Sequence, residues 1–242
     1  MHLSANTPMQ PSADTPQLED SDVNVRKAAL RTLRELEPAS LAQYAHALVA
    51  RLEDSVWTVR MIALGTLGML APTTLALHAS AVVARLEDSD NNVRIAALET
   101  LDELAPTTLA LHAGAVVARL EDSDEFVRCE ALKTLGKLEP TTLAQHADAV
   151  LARLEDEDGA VRWMALMTLH NLEPVALALY AEAVVAMLED SNREVRQMAY
   201  HTLEMLPRYV RCNTTLGVDR KELLSRALDH GEVEELRSRL LG

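Results

Sequence analysis

The chain has 242 residues, a formal net charge of −14 and aromatics at only 3% of its residues, with Ala and Leu dominant. That charge argues against a basic surface able to follow a phosphate backbone, and no uninterrupted apolar run of about 18 residues is present to span a membrane. The two cysteines, Cys129 and Cys212, sit in unlike contexts and define no disulfide framework, so a reducing, cytoplasmic location is expected.

Residues 1–17, MHLSANTPMQPSADTPQ, lack the apolar core of a secretory signal. Polar and interrupted by Pro8, Pro11 and Pro16, they are expected to form a disordered arm. Leu18 then opens LEDSDVNVRKAALRTLREL, which returns 34 residues later as LEDSVWTVRMIALGTLGML and again from Leu86, Leu120, Leu154 and Leu188. Each unit holds two amphipathic stretches. One, as in TVRMIALGTLGML, follows Asp or Ser residues suited to an N-cap. The other, as in PTTLALHASAVVARLED, opens at Pro72, Pro106, Pro140 or Pro174, where proline ends one helix and fits the first turn of the next. Two antiparallel helices per 34 residues, stacked on copies of themselves, predict an all-α solenoid over residues 18–206. After Leu206 the pattern stops. In residues 207–242 Asp219 can N-cap a helix to about His230 and a second short helix can follow from Glu232, as a polar cap or the start of a further segment.

Asp at the end of one helix, a short turn, then Val-Arg opening the next occurs as Asp20 with Val25-Arg26, Asp54 with Val59-Arg60 and Asp88 with Val93-Arg94. It recurs as Asp122 with Val127-Arg128, Asp156 with Val161-Arg162 and Asp190 with Val195-Arg196. In this pattern the chain resembles the HEAT-repeat family, and the wording VRxxALxTL is most similar to the short HEAT-like repeats of the phycobilisome-lyase type. The period of 34 is shorter than the roughly 40–47 residues of ordinary HEAT units. Tetratricopeptide repeats share the period, but their Trp, Gly, Tyr and Phe landmarks are missing. The resemblance implies a right-handed superhelix with Val-Arg helices inside and Pro-led helices outside, so residues 18–36 form a half repeat ahead of five helix pairs. It also implies that each of these six arginines bridges turn carboxylates of its own and the adjacent repeat; the alternative is an anion-binding ladder.

Copies within one chain show which positions are held. On a wheel of about 100° per residue, the near-constant Val25, Arg26, Ala29, Leu30, Thr32, Leu33 and Leu36 cover roughly −20° to 140° from Val25. The changing positions 23, 24, 27, 28, 31, 34 and 35 cover roughly 160° to 300°. One face is held because it packs on neighbouring repeats, and the other is free because it does not.

His78, His112 and His146 share one position of the Pro-led stretch. Stacked helices lie roughly 8–10 Å apart, too far for two imidazoles to hold one ion at about 2.0–2.1 Å each, and Tyr44 and Tyr180 take the same place. Packing is expected there, with no metal or other cofactor. LEDEDGAVR from Leu154 lacks the alternating ligands and twelfth-position Glu of a calcium loop.

No His-Glu dipeptide, G-x-S-x-G, Walker loop, H-E-x-x-H or CxxC occurs, so no catalytic residue is assigned. A bilin-lyase-like accessory enzyme stays as an alternative on the wording of the repeats alone. The changing positions carry six positive and eight negative side chains, too acidic a face for DNA. They also carry Trp57, Phe126 and Trp163, the only Trp and Phe in the chain. Apolar groups on a face not needed for packing point to a contact surface. Its candidates are Trp57, Met61, Met69, Asn91, Asn92, Ile95, Glu99, Phe126, Cys129, Lys133, Lys137, Trp163, Met167, His170, Gln197 and His201. Ile95 and Met164 could instead fill gaps between adjacent helices. The expectation is a monomeric, non-enzymatic scaffold whose partner is a protein or peptide, neither nucleic acid nor membrane; a structural spacer without a ligand is the third reading.

Overall fold

The computed structural model describes residues 17–206, which form two compact units divided between Glu103 and Leu104. The expected arm up to residue 16 and the expected C-terminal helices from Asp219 and Glu232 lie outside the described residues. Among the described residues all regular structure is helical, and no helix is long and apolar enough to cross a membrane.

In the first unit α1 (Val23–Leu33) leads to α2 (Pro38–Leu41), α3 (Ala45–Ala50), α4 (Trp57–Leu67), α5 (Pro72–Ala76), α6 (Ala79–Ala84) and α7 (Asn91–Asp102). The Val-Arg helices α1, α4 and α7 lie side by side, and α3 and α6 back α4 and α7. In the second, α8 (Pro106–Leu109) and α9 (Ala113–Ala118) precede α10 (Glu125–Leu135), α11 (Pro140–Leu143), α12 (Ala147–Ala152) and α13 (Gly159–His170). Then come α14 (Pro174–Leu177), α15 (Ala181–Ala186) and α16 (Arg193–Glu204). Here α10, α13 and α16 stack in the same way, backed by α9, α12 and α15. Each unit is an all-α solenoid stack at the repeat period.

Local chemistry starts most Val-Arg helices. Asp22, Asp90, Asp124, Asp158 and Asn192 hold extended N-cap backbone and accept N–H bonds from the first turn. α4 departs from this: its N-cap is Val56, without a side-chain bond, so the Asp or Ser cap expected before TVRMIALGTLGML is not there.

The Pro-led stretch, expected as one helix, is broken. In the second copy α5 and α6 flank His78, whose φ of −115° and ψ of 3° leave helical geometry, and one 3₁₀ turn (Arg85–Glu87) ends the segment. Leu77 and His78 donate to the carbonyls of Thr74 and Leu75, three residues back, which tightens the turn before the break. Tyr44, His112, His146 and Tyr180 occupy the same corner in the other copies. Leu75, Ala79, Val82 and Leu86 nevertheless all reach the core.

The held face of the Val-Arg helices is the packed one: Val59, Ala63, Leu64 and Leu67 of α4 are wholly buried. Its border lies one position further round than the copies suggest, because Ile62, Ala96 and Met198, counted as changing, are buried too. The recurrent Thr ties helices together. Thr100 Oγ1 donates to Ala96 O at 2.7 Å and faces Leu64 O of α4 at 3.0 Å. Thr168 does the same with Met164 O and, on α10, Leu132 O, both at 2.9 Å.

Candidate interaction surface

The turns between layers are held by arginine. Arg26 grips Asp54 with Nε and Nη2 at 2.8 and 3.0 Å, and its Nη1 donates to Asp20 O at 2.8 Å. Arg60 repeats this with Asp88 and Asp54 O. Arg128 does so with Asp156 and Asp122 O, and Arg162 with Asp190 and Asp156 O. Arg94 and Arg196 donate to Asp88 O and Asp190 O, both at 2.9 Å. Within its own repeat the arginine therefore bonds a backbone carbonyl, where a carboxylate was expected. Each gripped Asp also accepts an N–H two residues on, as Asp54 does from Val56 at 2.9 Å. Burial alone would raise these carboxyls, but the Arg26 guanidinium and the Val56 N–H hold Asp54 below the usual range, and Asp88, Asp156 and Asp190 follow suit.

A second arginine series escaped the sequence reading. Arg51, Arg85 and Arg153 send Nη1 back to the carbonyls of Leu18, Leu52 and Leu120 at 2.7, 3.0 and 2.8 Å. Arg85 and Arg153 add ion pairs to Glu53 and Glu121 at 3.0 and 2.8 Å. The signal was the Arg of RLED recurring at the repeat period. One series reaches forward to the next repeat and the other back to the preceding one.

On the changing face of the Val-Arg helices the first unit sets Trp57, 39% exposed, one turn from half-buried Met61, with Met69 exposed just beyond α4. On α7 half-buried Ile95 stands at the repeat position of Met61, with Glu99 exposed one turn on. Asn92 Nδ2 donates to Asn91 and to the cap Asp90, both at 3.1 Å, so the two asparagines belong to the helix start.

On the second unit Cys129, Trp163 and Gln197 share that half-buried position on α10, α13 and α16. Lys133, Met167 and His201 stand exposed one turn on, and Lys137 is exposed beyond α10. Burial, aided by Asp158, pushes the Cys129 thiol up to about 11, so it is an unreactive side chain at neutral pH. Phe126, 64% exposed, sits in the first turn of α10. His170 is half-buried, and among the described residues its Nδ1 has no partner; burial and then His201 hold its pKa low.

The Pro-led segments expose Leu77, Leu111 and Leu179, each about 80%, at one repeat position that the sequence reading passed over. The corner His or Tyr touches the preceding copy: His46 and His78 meet edge to face at 5.3 Å, and Tyr180 donates to Asp148 at 3.1 Å. Among the described residues no group of His, Cys, Asp and Glu could hold a metal ion.

The model of the family described as HEAT repeats matches residues 79–169 and 147–241. Among solved structures, a designed armadillo repeat protein in complex with the peptide (KR)4 is similar with a TM-score of 0.64 at 19% identity, over 81% of this chain and 100% of that one. An engineered protein matches with a TM-score of 0.62 at 19% identity, over 78% of this chain and 92% of that one. The complex of CpcE and CpcF of phycocyanin lyase from Nostoc sp. matches with a TM-score of 0.54 at 20% identity, over 99% and 98% of the two chains. No curated protein matches.

Proposed function

The chain belongs to the HEAT-repeat family, and from that premise we propose that it is a non-enzymatic scaffold binding a protein or peptide through the open face of its Val-Arg helices. The observation that carries this reading is α4. Of the six Val-Arg helices it alone lacks a side-chain N-cap, and it places exposed Trp57 directly after Val56. A cap contributes about 1 kcal/mol, and a local rule broken at one copy of six suits a site kept for contact rather than stability. Phe126, Met69 and Met167 add exposed apolar surface that the packing does not use. The peptide held by the designed armadillo neighbour supports the same kind of use for such a stack. A monomeric chain in the cytoplasm is part of the proposal.

The test is a pull-down from the source cell with the wild type beside a Trp57→Ala, Phe126→Ala, Trp163→Ala variant. A partner held by the first and lost by the second supports the reading; equal capture places the contact elsewhere. A second reading, one subunit of a two-chain lyase, draws on the neighbour that spans 99% of this chain. A bilin absorbance shift on mixing with pigment would favour it.

A further inference from the structure

On the first unit the open faces of three adjacent helices differ in kind. α1 presents Lys27 and Arg31 with Arg34 at its end, four and three residues apart and so along one stripe. α7 presents Glu99, followed by Glu103 at its end. Between them α4 has Gly65 and Gly68, at the repeat positions that carry Arg31 and Arg34 on α1. Among the described residues none of Lys27, Arg31, Arg34, Glu99 and Glu103 is in an ion pair. A Cβ on Gly65 would stand 4.0 Å from Arg34 Nη1, and one on Gly68 would stand 3.8 Å from Glu103 Cγ. Positive and negative side chains thus lean over a bare strip of helix from its two sides. Trp57 and Met61 close the strip at one end.

We propose that this strip receives an extended peptide segment lying across α1, α4 and α7, with acidic side chains over α1, small or apolar residues over Gly65 and Gly68, and basic side chains over α7. This rests on the scaffold reading above and adds the charge order of the partner. Charge complementarity selects the occupant. A simple anion, a nucleic acid or an anionic membrane would satisfy α1 and be repelled by Glu99 and Glu103. A segment carrying both signs in the right order satisfies both walls. The missing side chains admit a main chain to the helix surface. Helices two steps apart are separated by roughly 16–20 Å, which five or six extended residues span at about 3.3 Å each.

The experiment uses the full chain and three fluorescein-labelled octapeptides of one composition: DDALLAKK, KKALLADD and the charge-alternating DKALLADK. Anisotropy titrations at low salt should show one of the two segregated peptides binding about tenfold tighter than the alternating one, with the difference shrinking at high salt. A variant with Arg31→Glu, Arg34→Glu, Glu99→Lys and Glu103→Lys keeps the net charge and alters only exposed positions, and it should prefer the opposite order. Gly65→Leu, which fills the strip, should weaken the preferred peptide by about tenfold with the charges intact. No binding by any peptide, equal binding by all three, or a preference that fails to invert overturns the proposal. The pull-down separates this from the scaffold reading. A partner kept by the fourfold charge variant but lost by the triple alanine variant removes the strip and leaves the scaffold; a partner kept by both removes both.

Discussion

Arg128 grips Asp156, 28 residues ahead and one repeat on, through two parallel bonds of 2.9 and 2.8 Å, with both side chains less than a tenth exposed. Arg128 Nη1 meanwhile holds Asp122 O at 2.9 Å, so one side chain fixes its own turn and the next. Arg128→Ala would leave the Asp156 carboxylate buried without its fork. A loss of about 3 kcal/mol in urea unfolding is expected. Arg128→Lys keeps the charge but not the paired geometry and should fall between the two. Equal stability of all three proteins would show that the pair is idle.

The same pairs set the acid limit. Asp54, Asp88, Asp156 and Asp190 are held below their ordinary value in the folded chain. The unfolded chain therefore binds more protons, and the stabilisation, full above an unfolded value of about 3.9, is lost as pH falls through the folded values. His170 and His78 are depressed as well, by burial and by a neighbouring histidine, so they too remove stability as pH falls below about 6.5. The melting temperature should decline in two steps on acidification. His170→Gln with His78→Gln should flatten the upper step only.

Backbone chemistry gives opposite signs at two glycines. Gly65 lies inside α4, and a Cβ there would meet only Arg34 Nη1, at an ordinary contact distance of 4.0 Å, so Gly65→Ala should stabilise by about 0.5–1 kcal/mol. A Cβ on Gly159 would stand 2.7 Å from Asn192 Nδ2, and Asn192 Oδ1 caps α16 through Glu194 N at 2.8 Å. Gly159→Ala should therefore destabilise. Val56→Asp restores the missing cap and should gain about 1 kcal/mol. Thermal melts of the three single variants check the signs.

Leu67 is wholly buried and Glu99 exposed, so Leu67→Ala should cost about 2–5 kcal/mol and Glu99→Ala less than about 0.5 kcal/mol. This contrast was legible in the sequence because helical periodicity is local and six copies average out accident. Less was legible where a property belongs to two elements at once. Ile62 and Met198 look changeable along the chain, but whether they are buried depends on how near the next helix stands. The corner at His78 rests on three-residue-back bonds that an Ala- and Leu-rich stretch does not advertise. Arg85 recurs visibly, yet its partner, the carbonyl of Leu52, carries no residue identity to read. The charged walls beside Gly65 appear only when positions 31, 65 and 99 are set side by side. Their lean toward the glycines needs coordinates.

Trp57 is 39% exposed on the first unit and Trp163 half-buried on the second, each with a Met one turn away, Met61 and Met167. A partner covering either indole would remove apolar area from water at no cost to the packed core, since neither ring belongs to the held face. Anchors of this kind contribute about 2 kcal/mol or more each, so losing both should weaken binding by on the order of a thousandfold. Trp57→Ala alone should leave the fold unchanged, because Val59 and Leu67 carry the packing of α4. Affinity of an identified partner for the Trp57→Ala, Trp163→Ala protein, measured by calorimetry beside the wild type, decides the matter. Unchanged affinity would move the contact to the Pro-led side, where Leu77, Leu111 and Leu179 stand exposed. Loss from Trp57→Ala alone, with Trp163→Ala neutral, would instead confine the partner to the first unit, where the charged strip on α1 and α7 lies.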